Sequence, residues 1–228
     1  MNEKNHELKK IVIIGAGGHG KDVLWTIMDI NKISSRFDII GFLDDDKKLH
    51  GKIINRVPVL GGMNWLSNKN KIGCIIAVAD GKIREKIVKK LKNVNVYFPS
   101  IIHPSVIMSD FVTIGKGTII HAGVMIPPDS EIGNFVFINL RSQIGHDCKI
   151  KDFVSIMAGV NVTGETIIEN GAYLGSGVTV ADKIKIGEWS IIGIGSAIGK
   201  DVKPYSLYLG NPGIFIRKIK DEKSRPRL

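Results

Sequence analysis

His146 followed at once by Asp147, within Ile144-Gly145-His146-Asp147-Cys148, is the pairing in this chain best suited to moving a proton. An imidazole with a reference pKa near 6.5 accepts a proton from a nucleophile around neutral pH. A neighbouring carboxylate can hold the ring tautomer and stabilise the imidazolium. A second chemistry-bearing pattern stands near the other end of the chain. Gly15, Gly17 and Gly20 fit G-x-G-x-x-G directly after the apolar run Ile11-Val12-Ile13-Ile14. Between a strand and a helix, such glycines let the backbone approach a phosphate, and the helix N-terminus offers it unpaired N–H groups. Asp44 comes 24 residues after Gly20 and heads an acid triplet with Asp45 and Asp46, a separation suited to gripping a ribose hydroxyl.

The element that positions His146 announces itself by repetition. Steps of six residues from Ile114 meet Ile120, Ile126, Ile132, Ile138, Ile144, Ile150, Ile156, Val162, Ile168, Leu174, Val180, Ile186, Ile192 and Ile198, fifteen aliphatic residues without a miss. Four residues after each stands a small or β-branched residue, from Thr118 and Val124 to Ser196 and Val202. A period of six fits neither a helix of 3.6 residues per turn nor hairpins. It predicts a coil in which each hexad supplies a short strand and a corner, with the aliphatic residue pointing inward. Glycine often follows that residue, as at Gly115, Gly133 and Gly145, where it is expected to relieve backbone strain. Three hexads close one triangular turn, and fifteen make five turns. In this register His146, two places after an inward residue, sits near a corner. His121 lies one 18-residue turn before Asn139 and stacks on the same face.

The glycine motif belongs to a different region. Between residues 10 and 104 the chain reads as strand (IVII), helix (KDVLWTIMDINK), strand (DIIGFL), a short connection (VPVLGG), strand (GCIIAVAD) and helix (GKIREKIVKKLK), then crosses to the coil through VYFPSIIHPS. Alternating strands and helices imply a parallel sheet with helices packed on it, so the fold class is a half-Rossmann α/β domain followed by an all-β coil. Expected boundaries are 1–104 for the nucleotide-sugar-binding domain, 105–216 for the coil and 217–228 for a basic tail. A dinucleotide-dependent dehydrogenase needs two mononucleotide halves, and this domain has the size of one. It leaves no room for a nicotinamide and suits a single nucleoside diphosphate carrying a sugar.

The combination resembles the sugar O- and N-acyltransferases of the hexapeptide-repeat kind, and the likeness covers nearly the whole chain. It rests on Gly15-Ala16-Gly17-Gly18-His19-Gly20, the acids from Asp44 to Asp46, Arg84 in DGKIREKI, Ile102-His103-Pro104-Ser105, and Asn139 seven residues before His146-Asp147. The closing Leu209-Gly210-Asn211-Pro212-Gly213 is similar to the end of such coils. The family includes sialic acid O-acetyltransferases and N-acetyltransferases of nucleotide-linked amino sugars, bacillosamine precursors among them. The resemblance implies a left-handed parallel β-helix, a homotrimer with active sites between subunits, and acetyl-CoA as co-substrate without a metal. It implies His146 as catalytic base with Asp147 beside it; the family often has Glu at that place. Gly15, Gly17, Gly18, His19, Gly20, Asp44, Asp45, Arg84, His103 and Asn139 become the substrate-binding set. Ser155, Gly175, Ser176, Gly193, Gly195 and Pro212 become the cofactor-binding set, with the basic tail reaching the phosphates of coenzyme A. His121 is a further histidine near the substrate.

Composition limits the rivals. The formal charge is +10, but residues 1–104 hold 18 Lys and Arg against 10 Asp and Glu, residues 105–216 hold 8 against 10, and the tail holds 6 against 2. No aromatic residues interleave the basic ones in a stripe, so the excess reads as solvated helix surface and nucleic acid is not an expected partner. No apolar run approaches the roughly 20 residues of a membrane span and the N-terminus lacks a signal-peptide pattern, so the expectation is a cytoplasmic protein. Cys74 and Cys148 form no disulfide framework and read as small buried residues. A β-helical carbonic anhydrase needs three histidine ligands, two of them close in sequence, and His121 and His146 are 25 apart. The expected function is therefore N-acetylation of a nucleotide-linked amino sugar. O-acetylation of a sialic acid or related sugar, and a non-catalytic nucleotide-binding scaffold, remain open.

Overall fold

In the computed structural model, residues 8–219 are described. The first part holds β1 (Lys9–Ile14), α1 (Gly18–Ile33), β2 (Phe37–Leu43), β3 (Ile53–Ile54), β4 (Val57–Gly61), β5 (Ile72–Ile76), α2 (Gly81–Lys90) and β6 (Val96–Tyr97). They form one sheet in the order β3-β4-β2-β1-β5-β6, parallel throughout except for the β3–β4 hairpin. Continuous apolar runs in β1 and β5 are what a strand covered on both faces requires. Ile11, Ile13 and Ile75 face Val23, Leu24 and Ile27 of α1. Val12, Ile14, Cys74 and Ile76 face Leu66, Ile87 and Leu91 on the other side. VPVLGG, expected as a connection, is the strand β4 with Val59 in the core. Its proline and glycines read locally as a turn, and pairing with β2 overrides that preference.

Beyond residue 100 the chain winds as a coil with three flat faces. The first face stacks Ile101–Ile102, Ile119–Ile120, Phe137–Ile138, Ser155–Ile156, Tyr173–Leu174 and Ile191–Ile192. The second stacks strands from Ile107–Met108 to Ala197–Ile198, and the third those from Thr113–Ile114 to Lys185–Ile186. Paired residues are 18 apart, as Ile119 with Phe137 and Gln143 with Asn161, so three hexads do close one turn. The inward aliphatic column forms the core, with the small residues Val124, Val136, Cys148 and Ala172 between its members. A hairpin of Ser206–Leu209 and Ile214–Lys218 ends it. The first coil strand is Ile101–Ile102, which places the start two hexads before Ile114, with Ile102 and Met108 at inward positions.

The corner glycines have a different reason from the one expected. The left-handed residue of each corner is the third after the inward aliphatic, and side chains occupy it at Asp129 (φ 62), Phe135 (φ 54), Asp147 (φ 56) and Phe153 (φ 60). Gly145, directly after the aliphatic residue, has no positive φ. It is small because a Cβ there would lie 2.5 Å from the backbone of Thr163 and Gly164, one turn on. Close approach of successive turns selects this glycine.

The α/β domain docks on the first coil face and on the corner leading into it from the third. Ile101, Ile119 and Phe137 pack among the α1-side residues. At the corner, Gly81 at the start of α2 approaches so closely that a Cβ would meet the Phe153 carbonyl oxygen at 2.3 Å. Lys82 Nζ lies 3.3 Å from the centroid of the Trp189 ring.

Candidate active site

The glycine loop is shaped by backbone contacts. Gly15 adopts φ 104, and its N–H donates to the Leu43 carbonyl at 2.8 Å. A Cβ on Gly20 would fall 2.2 Å from the Gly15 oxygen, so strand and helix meet only because that residue is glycine. Helix α1 then starts at an exposed Gly17 N-cap with no side-chain cap and no acid in its first turn. Its first N–H groups remain available to an anion. Asp44 holds the loop from the next strand, accepting from Ala16 N at 2.8 Å and from Asp46 N at 2.9 Å. Beside it, at the C-terminal ends of β2 and β4, a cleft of about 490 Å³ is lined by Asp45, Lys47, His50, Trp65 and Lys90 among others. Of these only Asp45 stands out in the sequence. Trp65 and Lys90 carry no motif, and sheet order alone brings them here.

His19 follows the loop on α1. Its side chain is 35% exposed, and its ring meets Phe137 of the first coil face edge-on at 5.2 Å. Burial pushes its pKa down more strongly than the nearby Asp22 pulls it up, which favours the neutral ring. Asn139, at the corner between the first and second faces, is buried, with 6% of its surface exposed. Its Oδ1 accepts from Leu140 N at 2.8 Å, so the amide nitrogen is the group left to offer. Loop histidine and corner asparagine thus stand on the same side of the molecule.

His146 stands elsewhere, at the corner between the second and third faces. Its side chain is 62% exposed, and Nδ1 lies 2.8 Å from Asp147 Oδ2. An ionised carboxylate only accepts, so this contact puts the proton on Nδ1 and leaves Nε2 as the nitrogen with the lone pair. The turn above makes room for the ring, since a Cβ on Gly164 would sit 2.7 Å from Cε1 and Nε2. Among the described residues, no hydrogen bond, ion pair or ring contact is seen between the α/β domain and this corner.

Three expected site residues are corrected by their surroundings. Arg84, expected at the substrate, is 1% exposed and has all its donors engaged. Nε donates to Phe135 O at 2.9 Å, Nη1 to Val78 O and Ala79 O at 2.8 Å, and Nη2 to Phe153 O, Val154 O and Ser155 Oγ between 2.8 and 3.0 Å. It is a clamp between domain and coil, and burial lowers its pKa to about 9. Ser155, expected at the acyl donor, is 1% exposed and belongs to the same clamp, donating to Ala79 O. His103, expected at the substrate, has both nitrogens occupied, with Nε2 3.1 Å from Asp29 Oδ2 and Nδ1 accepting from Ser105 N at 3.0 Å.

For the donor set, Gly175, Ser176, Gly193 and Gly195 lie on the Asn139 side of the coil, and Pro212 is exposed beyond its end. A Cβ on Gly175 would come within 2.8 Å of Ile194 N and one on Gly193 within 2.1 Å of Leu209, so packing explains those two glycines. Gly195, with φ 66 and nothing near its Cβ direction, borders open space. Of the basic tail, Arg217 and Lys218 belong to the final strand, and 220–228 lie outside the described residues, as does His6. Both cysteines are buried; desolvation pushes the Cys74 thiol up to about 12. Among the described residues, no helix is long and apolar enough to cross a membrane.

Comparison with known proteins bears on both regions. Residues 10–91 match the family described as the PglD N-terminal domain. A curated relative, the UDP-N-acetylbacillosamine N-acetyltransferase of Bacillus subtilis (strain 168), is 30% identical over 122 residues, covering 49% of this chain and 50% of that protein. The chain therefore spans half the length of that relative. The acetyltransferase domain of PglB from Neisseria gonorrhoeae FA1090, solved with acetyl coenzyme A, is 27% identical with a TM-score of 0.84, over 92% of this chain and 100% of that one. PerB from Caulobacter crescentus, solved with CoA and GDP-perosamine, is 26% identical with a TM-score of 0.82, over 92% and 99%. These likenesses extend over both the α/β domain and the left-handed parallel β-helix.

Proposed function

We propose that the chain is a hexapeptide-repeat sugar acyltransferase that transfers the acetyl group of acetyl-CoA to the amino group of a sugar carried on a nucleoside diphosphate, a reading supported by the matched N-terminal domain and the similar acetyltransferases. The α/β domain holds the nucleotide, with the diphosphate at the start of α1 and the nucleoside in the cleft between Asp45, Trp65 and Lys90. The neutral amine attacks the thioester carbonyl while His146 Nε2 takes its proton. A carbon–nitrogen bond forms, the carbon–sulfur bond breaks, and the imidazolium returns the proton to the departing thiolate. Asp147 keeps the ring oriented and stabilises its charge between the two transfers. No covalent acyl-enzyme and no metal enter this scheme.

The observation that carries the reading is the distance between its halves. His19 and Asn139 line one corner of the coil and His146 the next, with the whole second face between them. One chain therefore supplies an acceptor side and a base side that do not meet, as expected if two copies share each site in a trimer. Exposed apolar residues on and beside that face, Ile107 at 66%, Phe111 at 73% and Met125 at 41%, suit its burial against a second copy.

A thiol-release assay with acetyl-CoA across nucleotide amino sugars and free sialic acids tests the substrate. Turnover confined to free sialic acid overturns it in favour of O-acetylation. His146→Ala is expected to lower kcat by about 10² to 10⁴ with an unchanged melting temperature. Unchanged turnover removes His146 from the mechanism.

A further inference from the structure

Helix α1 and the first coil face meet along two matched rows of side chains. On the coil, His103, His121, Asn139 and Met157 follow the same inward register one turn apart, each directly after an inward aliphatic residue. Their backbone N–H groups donate in series to Ile120, Ile138, Ile156 and Leu174. Rungs of parallel strands repeat every 4.8 Å or so, and three such steps cover about 14 Å. On the helix, Asp29, Thr26, Asp22 and His19 lie at spacings of three, four and three residues, one stripe about 15 Å long. The periods agree, so the rows can stay level over their whole length.

Two lower rungs are closed. Asp29 Oδ2 is 3.1 Å from His103 Nε2, and Thr26 Oγ1 is 2.8 Å from His121 Nδ1, with Thr26 and His121 both fully buried. Above them, among the described residues, no hydrogen bond is seen between the rows. Asp22 is 41% exposed on its side chain, His19 35%, and Asn139 keeps its amide nitrogen free of the chain. Where the bonded rungs end, His121 Nε2 and His19 Nδ1 are buried without a hydrogen-bond partner, and both rings rest against Phe137 at 5.2 Å.

We propose that Thr26 and His121 are positioning residues that hinge this seam and so set the geometry of the acceptor side assigned above to His19 and Asn139. The inference rests on the acetyltransferase reading for the identity of the sugar but not for the geometry. The Thr26–His121 bond fixes the height of α1 along the coil, and so fixes where His19 stands relative to Asn139. Burial depresses the His121 pKa to about 4, so the ring stays neutral and the closed rung persists across the neutral range.

The test separates positioning from stability. His121→Met removes the bond while keeping an apolar side chain of similar size, and the double variant Thr26→Val with His121→Met removes both polar partners together. Replacing both partners by apolar groups is often close to neutral for stability, so the double variant is expected to regain most of the melting temperature lost in the single one. Positioning predicts that both variants raise KM for the nucleotide amino sugar about tenfold and leave KM for acetyl-CoA unchanged. A double variant with wild-type stability and wild-type acceptor KM overturns the proposal. If the wild-type protein transfers acetyl to no nucleotide amino sugar, the function reading fails first. The imidazole NMR resonances of His19 then decide the geometry: they move in both variants if the rung sets its position, and stay in place if it does not.

Discussion

Two histidines of the same coil, 25 residues apart, occupy opposite extremes. His121 lies in the seam under α1, fully buried, with its pKa driven to about 4 by desolvation. His146 lies at a free corner, 62% exposed on its side chain, with a carboxylate on one nitrogen and solvent at the other. The hexad register places each near a corner, at almost equivalent positions. What separates them is whether a second element covers the corner. A covered imidazole becomes a neutral rung of a seam, and an uncovered one keeps a ring nitrogen facing outward, as the proposed base requires.

The contrast between covered and free corners should collapse most completely where the cover is pinned. Arg84→Met would leave five carbonyl oxygens at the domain–coil junction without their shared donor, at a cost of about 3–5 kcal/mol. Thermal or urea unfolding should show this loss, and a change below about 1 kcal/mol would mean the clamp is dispensable.

Acid should expose the difference between the two rings next. Between pH 6.5 and about 4 the unfolded chain binds a proton at His121 that the folded protein excludes, so stability falls as pH falls through that window. The contribution is about 3 kcal/mol at pH 4 relative to pH 7. Urea midpoints measured across the window should slope more steeply in the wild type than in the Thr26→Val, His121→Met double variant. Parallel slopes would show that the ring is not held neutral.

A milder change probes the free corner. Gly164→Ala puts a methyl group 2.7 Å from the His146 ring, and an exposed ring yields by swinging away. Activity should drop about tenfold, near 1.4 kcal/mol in transition-state terms, with the melting temperature almost unchanged. Full activity would mean that His146 needs no fixed seat.

Much of this architecture is legible in the residues. Aliphatic residues every six positions oblige the chain to coil, because only that path turns every one of them inward, and the three-faced stack with pairs 18 apart follows. The glycine motif between a strand and a helix is legible for the same reason, since Gly15 and Gly20 are demanded by local contacts. The early start of the coil is less legible, because Met108 and Ile102 flank corners lacking the glycine punctuation seen later. VPVLGG misleads because its partner strand lies elsewhere in sequence.

Side-chain roles divide along the same line. Arg84, Ser155 and His103 stand in the right motifs for ligand contacts, and nothing local reveals the partners from distant segments, Phe135 O and Phe153 O for Arg84, Ala79 O for Ser155 and the Asp29 carboxylate for His103. His146 and Asp147 are neighbours in sequence, so their 2.8 Å contact needs only the corner to form. The coil, its register and the His146–Asp147 pair all follow from local spacing, and so the residues alone dictate them. Which corners are covered, and hence which histidine is a rung and which is free, is settled only in the folded molecule, because burial depends on packing between segments far apart in the chain.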